Sequence, residues 1–248
     1  MTKTMIVGVG PGFGLALAKK FGQRGDTVIL VARNEAKLKA YQAALTGQGL
    51  EVSYFVVDVN EHKQVETLFA SETDVDKVIY NVGITAPDDP IHTAPQAVDA
   101  RLHTNVTSCV DVCQQYLATE HPRTILITGG GAAWHPSMYT TTLAMSKAAL
   151  RSYALALHDS VATSGVYVGL MTIQGISGLG PEMSPEKVAS AYLKAVEARN
   201  QAEIFYPGGK LSEVSEFDQL KELAKNPAKR AALLQAHPEF AKYQHLLS

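Results

Sequence analysis

The stretch Thr4-Met5-Ile6-Val7-Gly8-Val9-Gly10-Pro11-Gly12-Phe13-Gly14 opens as an apolar strand and then places a glycine at every second position. The run that follows takes helical spacing, so a strand at Thr4–Val9 feeds a helix near Phe13–Gln23 through a glycine-rich turn. A helix begins with backbone N–H groups that have no partner within the helix, and its macrodipole places positive potential there. Glycines at such a turn let a phosphate approach that end, where side chains would hold it away. Gly8, Gly10, Gly12, Phe13 and Gly14 are therefore candidate contacts for the pyrophosphate of a dinucleotide. The spacing alone is a weak signal; its position, directly after a strand and opening a helix, gives it content.

Working outward, the same alternation continues. Strands are expected at Thr27–Ala32, Glu51–Val57, Lys77–Asn81, Arg123–Thr128, Tyr167–Thr172 and Ala202–Tyr206. Helices are expected near Glu35–Leu45, Glu61–Ser71, Ala94–Ala118, Tyr139–Thr163 and Pro185–Ala198. Nearly all-apolar strands such as Val28-Ile29-Leu30-Val31 and Val78-Ile79-Tyr80 belong to a parallel sheet covered on both faces. The fold class is thus α/β, a Rossmann-like doubly wound parallel sheet of about seven strands with a C-terminal helical extension. The sequence divides into a dinucleotide-binding domain at 1–206 and an extension at 207–248, whose helix-like pieces break at Asn226-Pro227 and His237-Pro238. Gln174–Ser184 reads as a loop over the carboxyl ends of the strands.

Composition narrows the partners. With 248 residues, 46% hydrophobic and 19% charged, the chain can bury a sizeable core. A net charge of −2 carries no footprint for nucleic acid or an anionic membrane. No apolar run reaches spanning length and no leader precedes the first strand, so a cytoplasmic protein with no membrane partner is expected. Cys109 and Cys113, at i and i+4 of one helix, are expected as free buried thiols, and no metal site is expected. The tail carries apolar positions at helical spacing, among them Leu211, Val214, Phe217, Leu220, Leu233 and Phe240, which suit packing on the domain or a neighbouring subunit.

Arg33 follows the second strand, where an acidic residue would hold the ribose hydroxyls of NAD; the residue before it is Ala32, and the first carboxylate is Glu35. A guanidinium there suits a 2′-phosphate, so NADP(H) is favoured over NAD(H).

The spacing Gly8-x-x-x-Gly12-x-Gly14, with Lys147 in Leu143-Ala144-Met145-Ser146-Lys147, resembles the short-chain dehydrogenases/reductases over about residues 4–206. The resemblance implies adenine contacts at Asp58 and Val59, a cofactor wall at Asn81, Val82 and Gly83, and a water-holding relay at Asn105. It also implies that Lys147 bonds the nicotinamide ribose, and that the chain forms a homodimer or homotetramer through the Ala94–Ala118 and Tyr139–Thr163 helices. Departures occur where the family places its proton machinery. Leu143 stands four residues before Lys147 where a tyrosine is usual, and Gly130, thirteen residues earlier, stands at the serine. Tyr80 and Ile173-Gln174-Gly175 also depart, the latter from the usual Pro-Gly after the sixth strand.

Two residues are candidate proton sources in place of that pair. Tyr139 shares a face with Leu143 and Lys147 if the helix already runs there, and His135 lies in the loop after Gly129-Gly130-Gly131 with a suitable intrinsic pKa. The bare N–H groups of that glycine run are a further candidate, for an oxyanion. The leading expectation is an NADP(H)-dependent oxidoreductase of unknown substrate with a non-standard site built on Lys147, Asn105, Tyr139 and His135. The rival is a non-catalytic NADP(H)-binding sensor or interaction protein on the same scaffold.

Overall fold

The computed structural model describes residues 2–178, 180–213, 222 and 225–236. Seven strands form one parallel sheet: β1 (Lys3–Val7), β2 (Thr27–Ala32), β3 (Val52–Val56), β4 (Lys77–Tyr80), β5 (Thr124–Thr128), β6 (Tyr167–Ile173) and β7 (Glu203–Tyr206). Their order is β3-β2-β1-β4-β5-β6-β7. The chain therefore reverses direction across the sheet between β1 and β4, and in such sheets ligands bind beyond the carboxyl ends of the strands at that switch.

Alternate residues of each strand enter opposite layers, which is why these strands read as continuous apolar runs. Met5, Val7, Ile29, Val31, Val78 and Tyr80 join one core. That core is covered by α3 (His62–Ser71), α5 (Ser108–Leu117) and α6 (Thr141–Ser160). Ile6, Val28, Leu30 and Ile79 join the other, under α1 (Phe13–Gln23), α2 (Glu35–Thr46) and α7 (Pro185–Ala198). Cys109 and Cys113 are free and buried in the first layer, as expected. No described helix is long and apolar enough to cross a membrane.

The expected helix Ala94–Ala118 is interrupted. It runs as α4 (Pro95–Leu102), a π-helical turn over His103–Thr107, and then α5. The Tyr80 hydroxyl, donating to the Thr104 carbonyl at 3.1 Å and sharing a 2.5 Å bond with Ser108 Oγ, pins this turn to the end of β4. The helix expected from Tyr139 begins instead at Thr141. Asp88 is the cause: its carboxylate accepts from Thr142 N at 3.2 Å through both oxygens, and its own N–H donates to the Tyr139 carbonyl at 3.0 Å. Arg101 of α4 neutralises that buried carboxylate at 2.8 Å and also donates to Ala86 O and Thr142 Oγ1. In the tail, α8 (Pro227–Ala236) starts at the expected proline, with Asn226 Oδ1 accepting from Ala228 N and Lys229 N. Val214, Phe217, Leu220, Phe240 and the His237-Pro238 break lie outside the described residues.

At the amino end of the sheet Asp26 is 4% exposed and accepts from Thr2, Thr4 and the Lys77 ammonium, the last at 2.9 Å. Burial opposes its ionisation, but the two hydroxyls and Lys77 outweigh it, and the carboxyl titrates below the ordinary aspartate value. A depressed carboxyl contributes stability that is present above its unfolded pKa and lost as pH falls through the folded one. Lys77→Met is expected to lower unfolding free energy at neutral pH by about 3 kcal/mol, read by urea denaturation, because it leaves a buried carboxylate without its cation. Asp26→Asn is expected to flatten the loss of stability below about pH 4.

Candidate functional site

One cavity of about 1190 Å³ lies across the carboxyl ends of the strands. At one end it is lined by Arg33, Asp58, Val59 and Asn60, in the middle by the turn Gly8–Gly14, and at the other end by Gly130, His135, Leu143 and Lys147. Most of these residues sit within a few positions of a strand's last residue, so the sheet positions them.

The glycine turn is built by contact. Gly8 has φ +94, and a Cβ on it would lie 2.7 Å from the Asn81 carbonyl carbon and Val82 N. A Cβ on Gly14 would lie 2.8 Å from Gly8 O and Val9 Cα. These two glycines let α1 and the end of β4 close on the turn, and Asn81 Nδ2 seals it by donating to Gly8 O at 3.0 Å. Gly10 differs: a Cβ there would meet nothing within 4 Å, and the residue lines the cavity. Because α1 starts with no side-chain cap, the amino end of the helix meets this space with bare backbone. The cradle fits a pyrophosphate, since the volume a side chain would take is left open where the helix potential is positive.

At the first end, Arg33 Nη1 lies 3.7 Å from Asp58 Oδ2, and the guanidinium is 69% exposed. Asp58 also accepts from Asn60 N at 3.0 Å, which orients its carboxylate at the turn after β3. Among the described residues Arg33 is the one cation lining this end of the cavity.

At the other end Lys147 is 8% exposed and its ammonium donates to the Thr128 carbonyl at 2.7 Å. The Thr128 hydroxyl donates to Asn81 Oδ1 at 3.2 Å and shares a 2.7 Å bond with Tyr192. Leu143 lies one turn before Lys147 and lines the cavity with it. A Cβ on Gly130 would lie 3.4–3.6 Å from the Lys147 methylenes, an ordinary contact, and its φ of −171 is extended backbone open to any residue. The lysine stem thus packs against the bare face of Gly130.

Of the candidate proton sources, the structure brings one into the cavity. His135 lines it, with its ring Nε2 donating to the Ser212 carbonyl. Tyr139 precedes α6, its backbone N–H donating to Ser137 Oγ and its carbonyl accepting from Asp88 N, and it is not among the lining residues. Asn105 is 1% exposed and also absent from the lining. Its Oδ1 accepts from Ile84 N at 2.7 Å, and its Nδ2 donates to Ile84 O and Ser146 Oγ, so its amide fastens the π turn to the loop after β4. No tyrosine lines the cavity among the described residues. The buried phenols nearby, Tyr80 and Tyr192, are held neutral by desolvation, which raises both above the ordinary value.

Sequence reasoning missed Asp88, Arg101 and Ser177, and found Gln174 only as a departure after the sixth strand. Asp88 lies between Pro87 and Asp89-Pro90, and its partners are Arg101 and Thr142, at separations no local pattern reports. Ser177, from the loop after β6, reaches within 3.1 Å of where a Gly12 Cβ would stand.

Comparison with known proteins gives these features a context. A family model described as short chain dehydrogenase matches residues 2–189. A 3-dehydrosphinganine reductase of Arabidopsis thaliana is 27% identical over 173 residues, covering 67% of this chain and 52% of its own length. The chain therefore spans about half the length of that relative. Among solved structures, an actinorhodin polyketide ketoreductase with NADPH superposes at TM-score 0.76 and 20% identity, over 86% of this chain and 98% of that one. A short-chain oxidoreductase of Pseudomonas aeruginosa PAO1, described as containing an atypical catalytic center, superposes at TM-score 0.77 and 19% identity, over 86% and 98% of the two chains.

The two kinds of glycine separate experimentally. Gly14→Ala is expected to lower the thermal midpoint by several degrees, since the methyl must enter backbone at 2.8 Å. Gly10→Val is expected to leave the midpoint unchanged and to weaken dinucleotide binding by about tenfold or more, read by calorimetry.

Proposed function

The chain belongs to the short-chain dehydrogenase family, and we propose that it is an NADP(H)-dependent oxidoreductase that works without the serine and tyrosine the family usually employs. The observation that carries this reading is the continuity of the cavity: one space joins the glycine cradle, Arg33 and the pair of Lys147 and His135. The Arabidopsis relative's description as a reductase and the ketoreductase's NADPH are consistent with a reductive, NADP(H)-linked reaction. The Pseudomonas protein's description offers a precedent for an atypical center on this fold.

When bound, the nicotinamide group would supply or accept hydride at the Lys147 end. The chain's own residues have distinct tasks around it. Backbone N–H groups at Gly12–Gly14 hold the pyrophosphate, and Gly8, Asn81, Val82 and Gly83 form the wall between it and the sheet. Asp58 and Val59 face the adenine, and Arg33 takes the 2′-phosphate in exchange for part of its contact with Asp58. Lys147 orients the nicotinamide ribose, and the residue one turn before it is Leu143. Gly130 and Leu143 leave a less polar wall, and Leu143, Ala132 and Ile173 exclude water from the reacting end. His135 carries the proton, since it is the imidazole that lines this end of the cavity.

Arg33→Ala is expected to weaken NADPH binding about 10- to 100-fold and NADH binding little, the loss of one charge-assisted contact of ~1.5–3 kcal/mol. Equal losses for both cofactors would place the phosphate elsewhere. The double variant Gly130→Ser/Leu143→Tyr is expected to gain NADPH-dependent reduction of a general ketone or aldehyde probe, because both positions line the cavity beside Lys147. Tight NADPH binding by that variant with no gain of carbonyl reduction would contradict the assignment of these two positions.

A further inference from the structure

After β7 the chain turns at Gly208 and Gly209, both at positive φ, with Gly209 N donating to Phe205 O at 3.0 Å. The next residues return as a short strap to the wall of the cavity. Gln174, the first residue beyond β6 and 6% exposed, holds that strap with nearly all of its amide. Its Nε2 donates to Pro207 O at 3.0 Å and Lys210 O at 2.8 Å, and its Oε1 accepts from Ser212 N. A glutamine can make at most four such bonds, so three of them, all to one backbone segment, define where that segment lies. The Ser212 carbonyl then accepts from His135 Nε2.

A carbonyl oxygen accepts and never donates, so this bond requires the proton on Nε2. Nδ1 is then the ring nitrogen that is basic when the imidazole is neutral and a donor when it is charged. The backbone N–H of His135 is fixed as well, donating to Gly131 O at 3.0 Å. Gln174 stands where the family resemblance puts a Pro-Gly pair, and neither of those residues has a side-chain amide. The departure at 174 and the proton carrier at 135 thus meet on one strap.

We propose that Gln174 is a positioning residue for His135, acting through the backbone of residues 207–212 to fix the imidazole with its proton on Nε2 and Nδ1 toward the ligand. The role given to Nδ1 rests on the reading of His135 as the proton source; the coupling between Gln174, strap and ring does not. No group transfer is involved at Gln174 itself, which touches only backbone of the strap in its side-chain bonds.

The test is histidine side-chain NMR of the ¹⁵N-labelled full chain at neutral pH, with His135→Gln used for assignment. The wild-type protein is expected to show His135 protonated on Nε2, with that proton protected from solvent exchange. Gln174→Met removes all three bonds at similar volume, and Gln174→Glu keeps the acceptor for Ser212 N while losing both donors. Both are expected to speed exchange of the His135 Nε2 proton by about tenfold or more, the effect of freeing one hydrogen bond. Ser212→Ala retains the backbone N–H and carbonyl and is expected to keep the protection. Unchanged protection in either Gln174 variant with wild-type circular dichroism, or no protected proton in the wild type, would overturn the proposal. The spectra need neither cofactor nor substrate. Normal turnover by His135→Gln would instead remove the histidine as proton source while leaving the positioning result standing.

Discussion

The contact on which this molecule depends is the closure of the first turn onto the end of the fourth strand. Gly8 can approach Asn81 only because it has no side chain, and Asn81 Nδ2 holds the turn by donating to the Gly8 carbonyl. The same asparagine accepts from Thr128, whose carbonyl takes the Lys147 ammonium and whose hydroxyl meets Tyr192 of α7. Strands β1, β4 and β5 and helices α6 and α7 are therefore registered through one buried polar chain. Networks of this kind hold position only when each member is satisfied, since an unpaired group in such surroundings is costly. The cavity owes its shape to this chain, because Gly8, Asn81, Thr128 and Lys147 all line it.

The two ends of the cavity are lined by different chemistry. The cradle is lined by the glycines of the turn after β1, with no side chain filling the space at Gly10. At the reacting end, bare Gly130 meets the lysine stem, and Leu143 presents hydrocarbon one turn away. Three of the buried hydroxyl-bearing side chains nearby bond within the fold: Tyr80 to the π turn, Tyr192 to Thr128, and Ser146 to Asn105 and the Thr142 carbonyl. The Asp88–Arg101 pair fixes where α6 begins and so where Leu143 and Lys147 point. A buried pair of this sort is weak evidence for stability but strong evidence for a specified geometry here, because it caps a helix and clamps a loop together.

Much of the fold was legible because its signals are local. Apolar runs such as Val28–Val31 and the glycine turn at residue 8 report their structure within a few residues, and the seven strands fall where those signals lie. The first and last residues of the elements were less legible. Tyr139 reads as helix by spacing, yet Asp88, fifty-one residues earlier, caps the helix beyond it. Asn105 reads as a polar helix residue facing a site, whereas a π turn aims its amide at Ile84 and Ser146. Both differences come from partners distant in sequence, as does the strap held by Gln174, whose bonds span 33 to 38 positions. The position of Arg33 was legible from the end of its own strand, and that of Lys147 from the resemblance carried by the run Leu143–Lys147.

The most direct test of the account is isothermal calorimetry of the wild-type chain with NADPH and with NADH under identical salt. The account predicts one site per chain for NADPH, with affinity about tenfold or more above that for NADH, the difference one guanidinium–phosphate contact supplies. No heat with either nucleotide, or tighter binding of NADH, would contradict it.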